Sequence, residues 1–133
     1  IWVTGVQTCA LPIFEHNKRV AHLAKLLLKH NVPCGVSLVS PFIQNRDDAR
    51  KIIADDKRFF EVYVKCSLQE CETRDVKGMY KKARNNEIKN FTGISDPYEA
   101  PENADLVIDT EKETLEQSVQ NLLNFLKSKN LDS

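Results

Sequence analysis

The stretch that decides the fold is residues 20–40, which read VAHLAKLLLKHNVPCGVSLVS. Its first half repeats apolar residues at intervals of three and four, and this spacing predicts an amphipathic helix over about 15–30. The residues that carry this spacing are Val20, Leu23, Ala24, Leu27 and Leu28. Asn31 and Pro33 are typical of a helix end. The apolar run 36–39 that follows predicts a buried parallel strand.

The rest of the chain continues this alternation of helix and strand. Further helices are predicted over 47–55, 67–74 and 76–85, and strands over 59–64 and 106–108. Ser67, with Glu70 three residues later, is predicted to cap the second of these helices. A C-terminal helix is indicated by the helical spacing of Leu115, Val119, Leu122 and Leu126. Strands separated by helices of this length predict right-handed crossovers, so we expect an α/β domain with a parallel sheet and helices on both faces.

Composition narrows the class of protein. The chain has 133 residues, of which 41% are hydrophobic and 29% charged, and this balance predicts one soluble globular domain. Its 19 basic and 19 acidic residues argue against nucleic acid or a membrane surface as a partner. The four cysteines lack CxxC spacing, so we expect no metal site and a reduced, cytoplasmic protein. They are Cys9, Cys34, Cys66 and Cys71. Cys34 and Cys66 lie in apolar, strand-like runs, so we expect them to be small buried residues.

A local excess of positive charge stands out against this neutral background. Residues 74–93, here called the basic segment, hold six cations and two acids and end in Phe91-Thr92-Gly93. Cations that can hold phosphate, together with a phenyl ring that can stack on a base, suit a nucleotide. The alternative is a solvated face of a lysine-rich helix.

The basic segment resembles the lid of adenylylsulfate (APS) kinases, which reads Arg-Asp-x-Lys-Gly-Leu-Tyr-Lys-Lys-Ala and then Ile-Lys-(Gly/Asn)-Phe-Thr-Gly. Met79 replaces the usual Leu. The string 37–42, Ser-Leu-Val-Ser-Pro-Phe, is similar to the Ser-x-Ile-Ser-Pro motif of the same family. The resemblance covers roughly residues 15–128, and it implies a P-loop kinase-like fold with three layers.

The resemblance also implies roles for individual residues. Ser40 takes the catalytic position, and five residues contact APS, with the Phe91 ring stacking on its adenine; these five are Val39, Ser40, Lys77, Asn90 and Phe91. Arg74 is implied to lie against the adenine of ATP. Two alternatives remain open, because Ser40 also suits a strand-end cap before a proline and Phe91 also suits a core position.

The beginning of the chain departs from this pattern. Residues 3–13 match a translated DNA-sequencing adapter, so we expect 1–14 to be a foreign segment and 15–133 an incomplete APS kinase-like domain. The alternative is a genuine first strand. None of the four glycines begins the phosphate-binding motif G-x-x-x-x-G-K-[ST], and we expect the strand leading into that loop and the second strand to be missing. His16 stands where the family has a substrate-binding Asn.

We therefore expect a truncated kinase that transfers the γ-phosphoryl of ATP to the 3′-hydroxyl of APS, giving PAPS in sulfate assimilation. The resemblance implies ATP as co-substrate, Mg²⁺ held by the missing loop, and a homodimer of the intact parent. The chain as written is expected to be inactive, since its phosphate loop is absent. One alternative is a non-catalytic, nucleotide-binding regulatory domain of an ATP sulfurylase, and another is a chain that does not fold.

Overall fold

The computed structural model describes residues 2–4, 13–54 and 57–130, and for residues 2–4 it describes the backbone alone. Helices and strands alternate along these ranges. The strands are β1 Trp2–Thr4, β2 Val36–Leu38, β3 Glu61–Lys65 and β4 Leu106–Asp109. The helices are α1 Ile13–Lys29, α2 Ile43–Ile53, α3 Leu68–Arg74, α4 Met79–Arg84 and α5 Leu115–Ser128.

The four described strands form one sheet in the order β2-β1-β3-β4, and every pairing is parallel. Val62 lies opposite Leu106 in the β3–β4 ladder, and the register continues to Lys65 opposite Asp109. The prediction of an α/β domain with a parallel sheet is confirmed. Of the helices in the described ranges, none is long and apolar enough to cross a membrane.

The first strand is where the structure differs most from the sequence analysis. Residues 1–14 were set aside as foreign and the sheet was expected to lack its first strand, yet Trp2–Thr4 pairs with both β2 and β3. Such a ladder is made by backbone N–H and C=O groups, so any extended segment can fill a gap between two strands. The pairing is therefore independent of the segment's origin, and its foreign origin stays a prediction. Residues 5–12 lie outside the described ranges.

Several element boundaries also move. Helix α2 begins at Ile43, four positions before the predicted start, although Phe42 at its N-cap gives no side-chain cap. The carboxylate of Glu99 instead accepts the Ile43 N–H at 2.7 Å, a contact that local sequence cannot reveal. The predicted helix over 76–85 shortens to α4, because Gly78 has a positive φ of 64° and precedes the first helical turn.

The packed core lies where α1 and α2 meet beside the sheet. It consists of Ala21, Ala24, Ala49, Ile53 and Phe59, all buried. Alanines at the contact let two helices approach closely. Cys34 and Cys66, expected to be buried, are half-buried.

Candidate functional site

The candidate site lies at the carboxyl ends of the parallel strands. Ser40 follows β2, Cys66 and Ser67 follow β3, and Thr110 follows β4. Ligands of open parallel sheets bind at this edge, because the chain leaves each strand there in a loop that can surround them. The basic segment starts near the same edge, at the end of α3.

Ser40 is fully buried at the end of β2. Its hydroxyl accepts a hydrogen bond of 3.0 Å from Nδ2 of Asn17, and the same amide group donates to the carbonyl oxygen of Val39 at 3.1 Å. Asn17 is 2% exposed. Val39 and Ser40, two of the five residues implied to contact APS, are therefore both fixed by one side chain of α1.

Asn17 is a site residue that the sequence analysis missed. Motif comparison aligned His16 with the family's substrate-binding Asn and gave Asn17 no role. The structure leaves His16 exposed and directs Asn17 toward β2. A signal was available in the helical spacing, because Asn17 lies four residues before Ala21 and seven before Ala24 and so shares their buried face. A polar residue on an apolar face needs a partner, and Ser40 supplies it.

Arg46 of α2 is a second missed residue. It is 3% exposed, and its guanidinium donates to the backbone carbonyl of Ser40 and, at 2.7 Å, to that of Glu99. Its Nε lies 3.0 Å from Oε1 of Glu61, an ion-pair contact without the alignment of a hydrogen bond. Burial raises the pKa of Glu61, and the charge of Arg46 opposes that shift.

Glu99 joins the loop after the basic segment to the turn after β2. Its backbone N–H donates to the carbonyl of Pro41 at 2.7 Å, and its side chain accepts the N–H of Ile43 at 2.7 Å. The Phe14 and Phe42 rings stack beside this turn, with centroids 5.4 Å apart and planes 11° apart. The turn that carries Ser40 is thus fixed from several directions.

The base of the basic segment is anchored to the ends of β3 and β4. Arg74 donates to the hydroxyl of Thr110 at 3.2 Å, to its carbonyl at 2.8 Å, and to the carboxylate of Glu70 at 2.7 Å. Ser67 caps α3, accepting the Glu70 N–H at 3.3 Å as the sequence predicted, and its hydroxyl donates to Glu111 at 2.8 Å. Arg74 remains exposed at this edge.

Asp75 organises the turn between α3 and α4. Its two carboxylate oxygens accept the backbone N–H groups of Tyr80 at 3.1 Å and Lys81 at 3.0 Å. Desolvation acts to raise the pKa of Asp75, but hydrogen bonds from the backbone of Lys81, Tyr80 and Met79 lower it overall. A carboxylate at the N-terminus of α4 also suits the helix dipole.

The six cations of the basic segment differ in their surroundings. Arg74 and Arg84 pair with acids of α3, the second through Glu72. The remaining four are exposed and make no ion pair with a described residue; these are Lys77, Lys81, Lys82 and Lys89. Two thirds of the predicted anion-binding charge is therefore still available, on four lysines in and around α4, since two of the six cations are neutralised within the chain.

Phe91 lies in the core of the basic segment. It is 1% exposed, and its ring packs edge-to-face on Tyr80 with centroids 4.9 Å apart. Its backbone is held in a tight turn, because Ile94, Ser95 and Asp96 all donate their N–H groups to its carbonyl. Stacking on a base would require one ring face to open. Asn90, just before it, is exposed with a positive φ of 55°.

A metal site was not expected from the cysteines, and Mg²⁺ was expected on a loop outside this sequence. In the part of the chain that the structure describes, no group of three or more His, Cys, Asp or Glu side chains could hold a metal ion. Asp109 at the end of β4 is engaged by Lys65 at 3.6 Å and Lys112 at 3.4 Å.

The fold and this edge define a class of protein: an α/β domain with parallel strands, a buried serine at one strand end and a cationic segment beside it. Residues 13–109 match the adenylylsulphate kinase family, and the chain belongs to that family. The match begins at the first residue of α1, two positions before the predicted domain boundary.

Individual relatives agree with this assignment. The adenylyl-sulfate kinase of Staphylococcus epidermidis is 47% identical over 113 residues, which cover 85% of this chain and 56% of the relative. A probable adenylyl-sulfate kinase of Aeropyrum pernix is 48% identical over 115 residues, covering 86% and 63%. The chain thus spans little more than half the length of such curated relatives.

A solved structure gives the same result for the fold. The APS kinase of Mycobacterium tuberculosis, solved in complex with AMPPNP and APS, matches with a TM-score of 0.73 and 35% identity. The match covers 95% of this chain and 79% of the other. The P-loop kinase-like fold implied by the sequence is confirmed.

Proposed function

We propose that this chain forms the substrate-binding part of an adenylylsulfate kinase, which transfers the γ-phosphoryl group of ATP to the 3′-hydroxyl of APS and yields PAPS. The observation that carries the proposal is the unpaired charge of the basic segment beside the carboxyl edge of the sheet. Four exposed lysines there have no acidic partner among the described residues. Such charge suits two nucleotides whose phosphate and sulfate groups must be brought together.

Some of these residues are proposed to contact the nucleotides, and others hold those residues in place. Lys77 and Asn90 are exposed and can reach a ligand, and Arg74 presents an exposed planar cation whose nitrogens are fixed by Thr110 and Glu70. A guanidinium held in this way offers its face to an adenine ring. Val39 and Ser40 shape the floor, with Asn17 and Arg46 fixing their backbone.

Ser40 is proposed as a positioning group rather than an attacking one. In-line transfer to a hydroxyl of the substrate needs no protein nucleophile, and a fully buried hydroxyl that accepts from Asn17 is well suited to hold a strand end in place. The proposal keeps Phe91 as the residue that stacks on the adenine of APS. Because Tyr80 packs on the Phe91 ring, Tyr80 has to move away from that ring when APS binds.

The proposal includes four further features implied by the family. ATP is the phosphoryl donor, Mg²⁺ is held by a glycine-rich loop that this sequence lacks, the intact parent is a homodimer, and the protein works in the cytoplasm. Because the phosphate loop contributes most contacts to ATP, the 133-residue chain alone is expected to show negligible phosphorylation of APS. The intact basic segment favours a kinase over an eroded regulatory domain.

Two measurements test the proposal. Calorimetric titration with APS should show binding by the 133-residue chain, and Lys77→Ala should weaken it about tenfold or more, as loss of a charge-assisted hydrogen bond implies. Lys82→Ala removes the same charge from the same segment and serves as the control, with a smaller expected effect. Equal losses in both variants would point to a nonspecific basic surface instead.

The second measurement is a coupled assay of ADP release with APS and MgATP. The chain as it stands should give no turnover above background. Turnover near that of an intact relative would contradict the proposed inactivity while leaving the kinase assignment in place. Binding of ATP and PAPS without binding of APS would favour the regulatory alternative.

A further inference from the structure

Two cysteines lie at the start of α3, one on each side of its N-cap. Ser67 is the N-cap of this helix, so Cys66 occupies the position before the cap and Cys71 the fourth helical position. The Cys71 N–H donates to the Ser67 carbonyl at 3.0 Å, which closes the first turn. Side chains at these two positions commonly pack against one another across the helix start. In most proteins the pair is apolar, but here both members are thiols.

Both thiols lie in partly buried surroundings. Burial raises the pKa of Cys71 to about 11, and hydrogen bonding with the Cys66 side chain adds to the shift. The Tyr80 hydroxyl, buried in α4, lies beside Cys71 without a well-aligned hydrogen bond to any described residue. Both cysteines are free and half-buried, so a small reagent can reach them.

We propose that Cys66 and Cys71 form a reversible disulfide when the chain meets a low-molecular-weight disulfide. The proposal rests on the positions of the two residues, one just before the N-cap and one at the fourth helical position of α3, where side chains commonly pack against one another, and on the half-burial of both thiols. It goes beyond the proposed kinase function and does not depend on it.

The chemistry proceeds by two exchanges. One thiolate, assigned to Cys66, attacks a sulfur of the small disulfide, forms a mixed disulfide and releases one small thiol. The Cys71 sulfur then gives up its proton and attacks the Cys66 sulfur, which releases the second small thiol. The protein loses two protons and two electrons, and the small disulfide gains them and is reduced to two thiols. An excess of small thiol reverses both steps.

This disulfide would affect the start of the basic segment, at Arg74. It would tie the end of β3 to α3, whose last residue, Arg74, begins the basic segment and reaches Thr110. The reduced pair lets α3 shift relative to the strand end. The oxidised pair would hold it, so oxidation would limit how far the basic segment can move over the sheet.

The test uses the full chain with Cys9→Ser and Cys34→Ser, so that only the proposed pair remains. After treatment with glutathione disulfide, we expect a mass loss of two hydrogen atoms and no glutathione adduct. Cleavage after Glu70 by a glutamate-specific protease separates the two cysteines. The resulting peptides should stay joined until a reductant is added. In concentrated urea, the ratio of the Cys66–Cys71 disulfide to the glutathione adduct should fall about tenfold or more, because the unfolded chain no longer holds the two sulfurs close together.

The matched control adds Cys71→Ser to the same background, and it should accumulate one glutathione on Cys66. Two adducts on the two-cysteine chain, or separate peptides after cleavage, would overturn the proposal. Should the serine substitutions prevent folding, as judged by circular dichroism, the same peptide mapping is done on the unmodified chain. A linkage of Cys66 or Cys71 to Cys34 there would equally refute the pairing.

Discussion

Asn17 shows how much of the site depends on one buried amide. The side chain lies in α1 but donates to the carbonyl of Val39 and the hydroxyl of Ser40, at the end of β2. Those two acceptors are separated from Asn17 by more than twenty positions along the chain, 22 and 23 respectively. Their hydrogen bonds are made away from water, so losing the donor would leave acceptors unsatisfied.

We predict that Asn17→Ala lowers the free energy of unfolding by about 1–3 kcal/mol, the usual effect of leaving buried polar groups without a partner. Urea denaturation followed by circular dichroism measures it. His16→Ala is the control, since this neighbour is exposed and its loss should change stability by no more than about 0.5 kcal/mol. Similar effects of the two substitutions would show that the amide is not a structural anchor.

Phe91 has a structural role that is separable from its proposed contact with APS. The ring is 1% exposed and packs on Tyr80, so Phe91→Ala should lower the free energy of unfolding by about 3–5 kcal/mol. Phe14→Ala, which truncates a ring that is 41% exposed, should have a clearly smaller effect. If instead Phe91→Ala left stability intact and weakened APS binding by about 1–3 kcal/mol, the ring would act mainly by stacking.

At the scale of elements, Asp75 determines how α3 passes into α4. Helix α4 runs only from Met79 to Arg84, which is too short to be stable by itself. The carboxylate of Asp75 compensates by accepting backbone N–H groups at its start. Helix α4 carries two of the four lysines of the basic segment, and its start is therefore fixed by a side chain that lies outside the helix.

The pKa of Asp75 gives this contact a pH dependence. Because the folded pKa is lowered, the stabilising effect is present above the unfolded value of about 3.9 and is lost as the pH falls through the folded value. Amide hydrogen exchange should therefore show Tyr80 and Lys81 losing protection below about pH 4, before the sheet does. Protection that persists there would mean that the carboxylate does not hold α4.

The control for this experiment is Asp75→Ala, in which the same amides should exchange rapidly at every pH. Glu87→Ala removes an exposed acid from the same segment without touching the start of α4. Its exchange profile should follow that of the unmodified chain. A matching loss of protection in this variant would assign the effect to net charge instead.

At the scale of the whole molecule, Arg46 connects parts of the chain that are far apart in sequence. It joins the end of β2, the start of β3 and the loop after the basic segment, and its bond to Glu99 spans 53 positions. A buried ion pair of this kind tends to specify an arrangement more than it stabilises one. Loss of one partner is nevertheless severe, since it leaves the other charge buried.

We predict that Arg46→Met lowers the free energy of unfolding by about 3–5 kcal/mol, because Glu61 then loses its buried ion-pair partner. The double variant Arg46→Met, Glu61→Gln should recover a large part of that loss. A denaturation series of the two single variants and the double variant measures the coupling. Additive effects would mean that the ion pair makes no energetic contribution beyond its separate contacts.

Local features of the sequence determined the elements and their class. Apolar spacing identified α1, α5 and β4, and Ser67 with Glu70 three residues later identified the start of α3. The motif at 74–93 identified the family. These inferences succeed because periodicity, caps and motifs depend on residues close together along the chain.

Only the tertiary structure decided how those elements meet. In the folded chain, Asn17 and not His16 contacts Ser40, and α2 starts earlier than predicted because Glu99 accepts the N–H of Ile43. Trp2–Thr4 pairs as a strand within the sheet. The tertiary structure also buried Phe91 and packed its ring against Tyr80. Each of these outcomes depends on which faces pack together, and that is set by the burial of apolar surface across the whole chain.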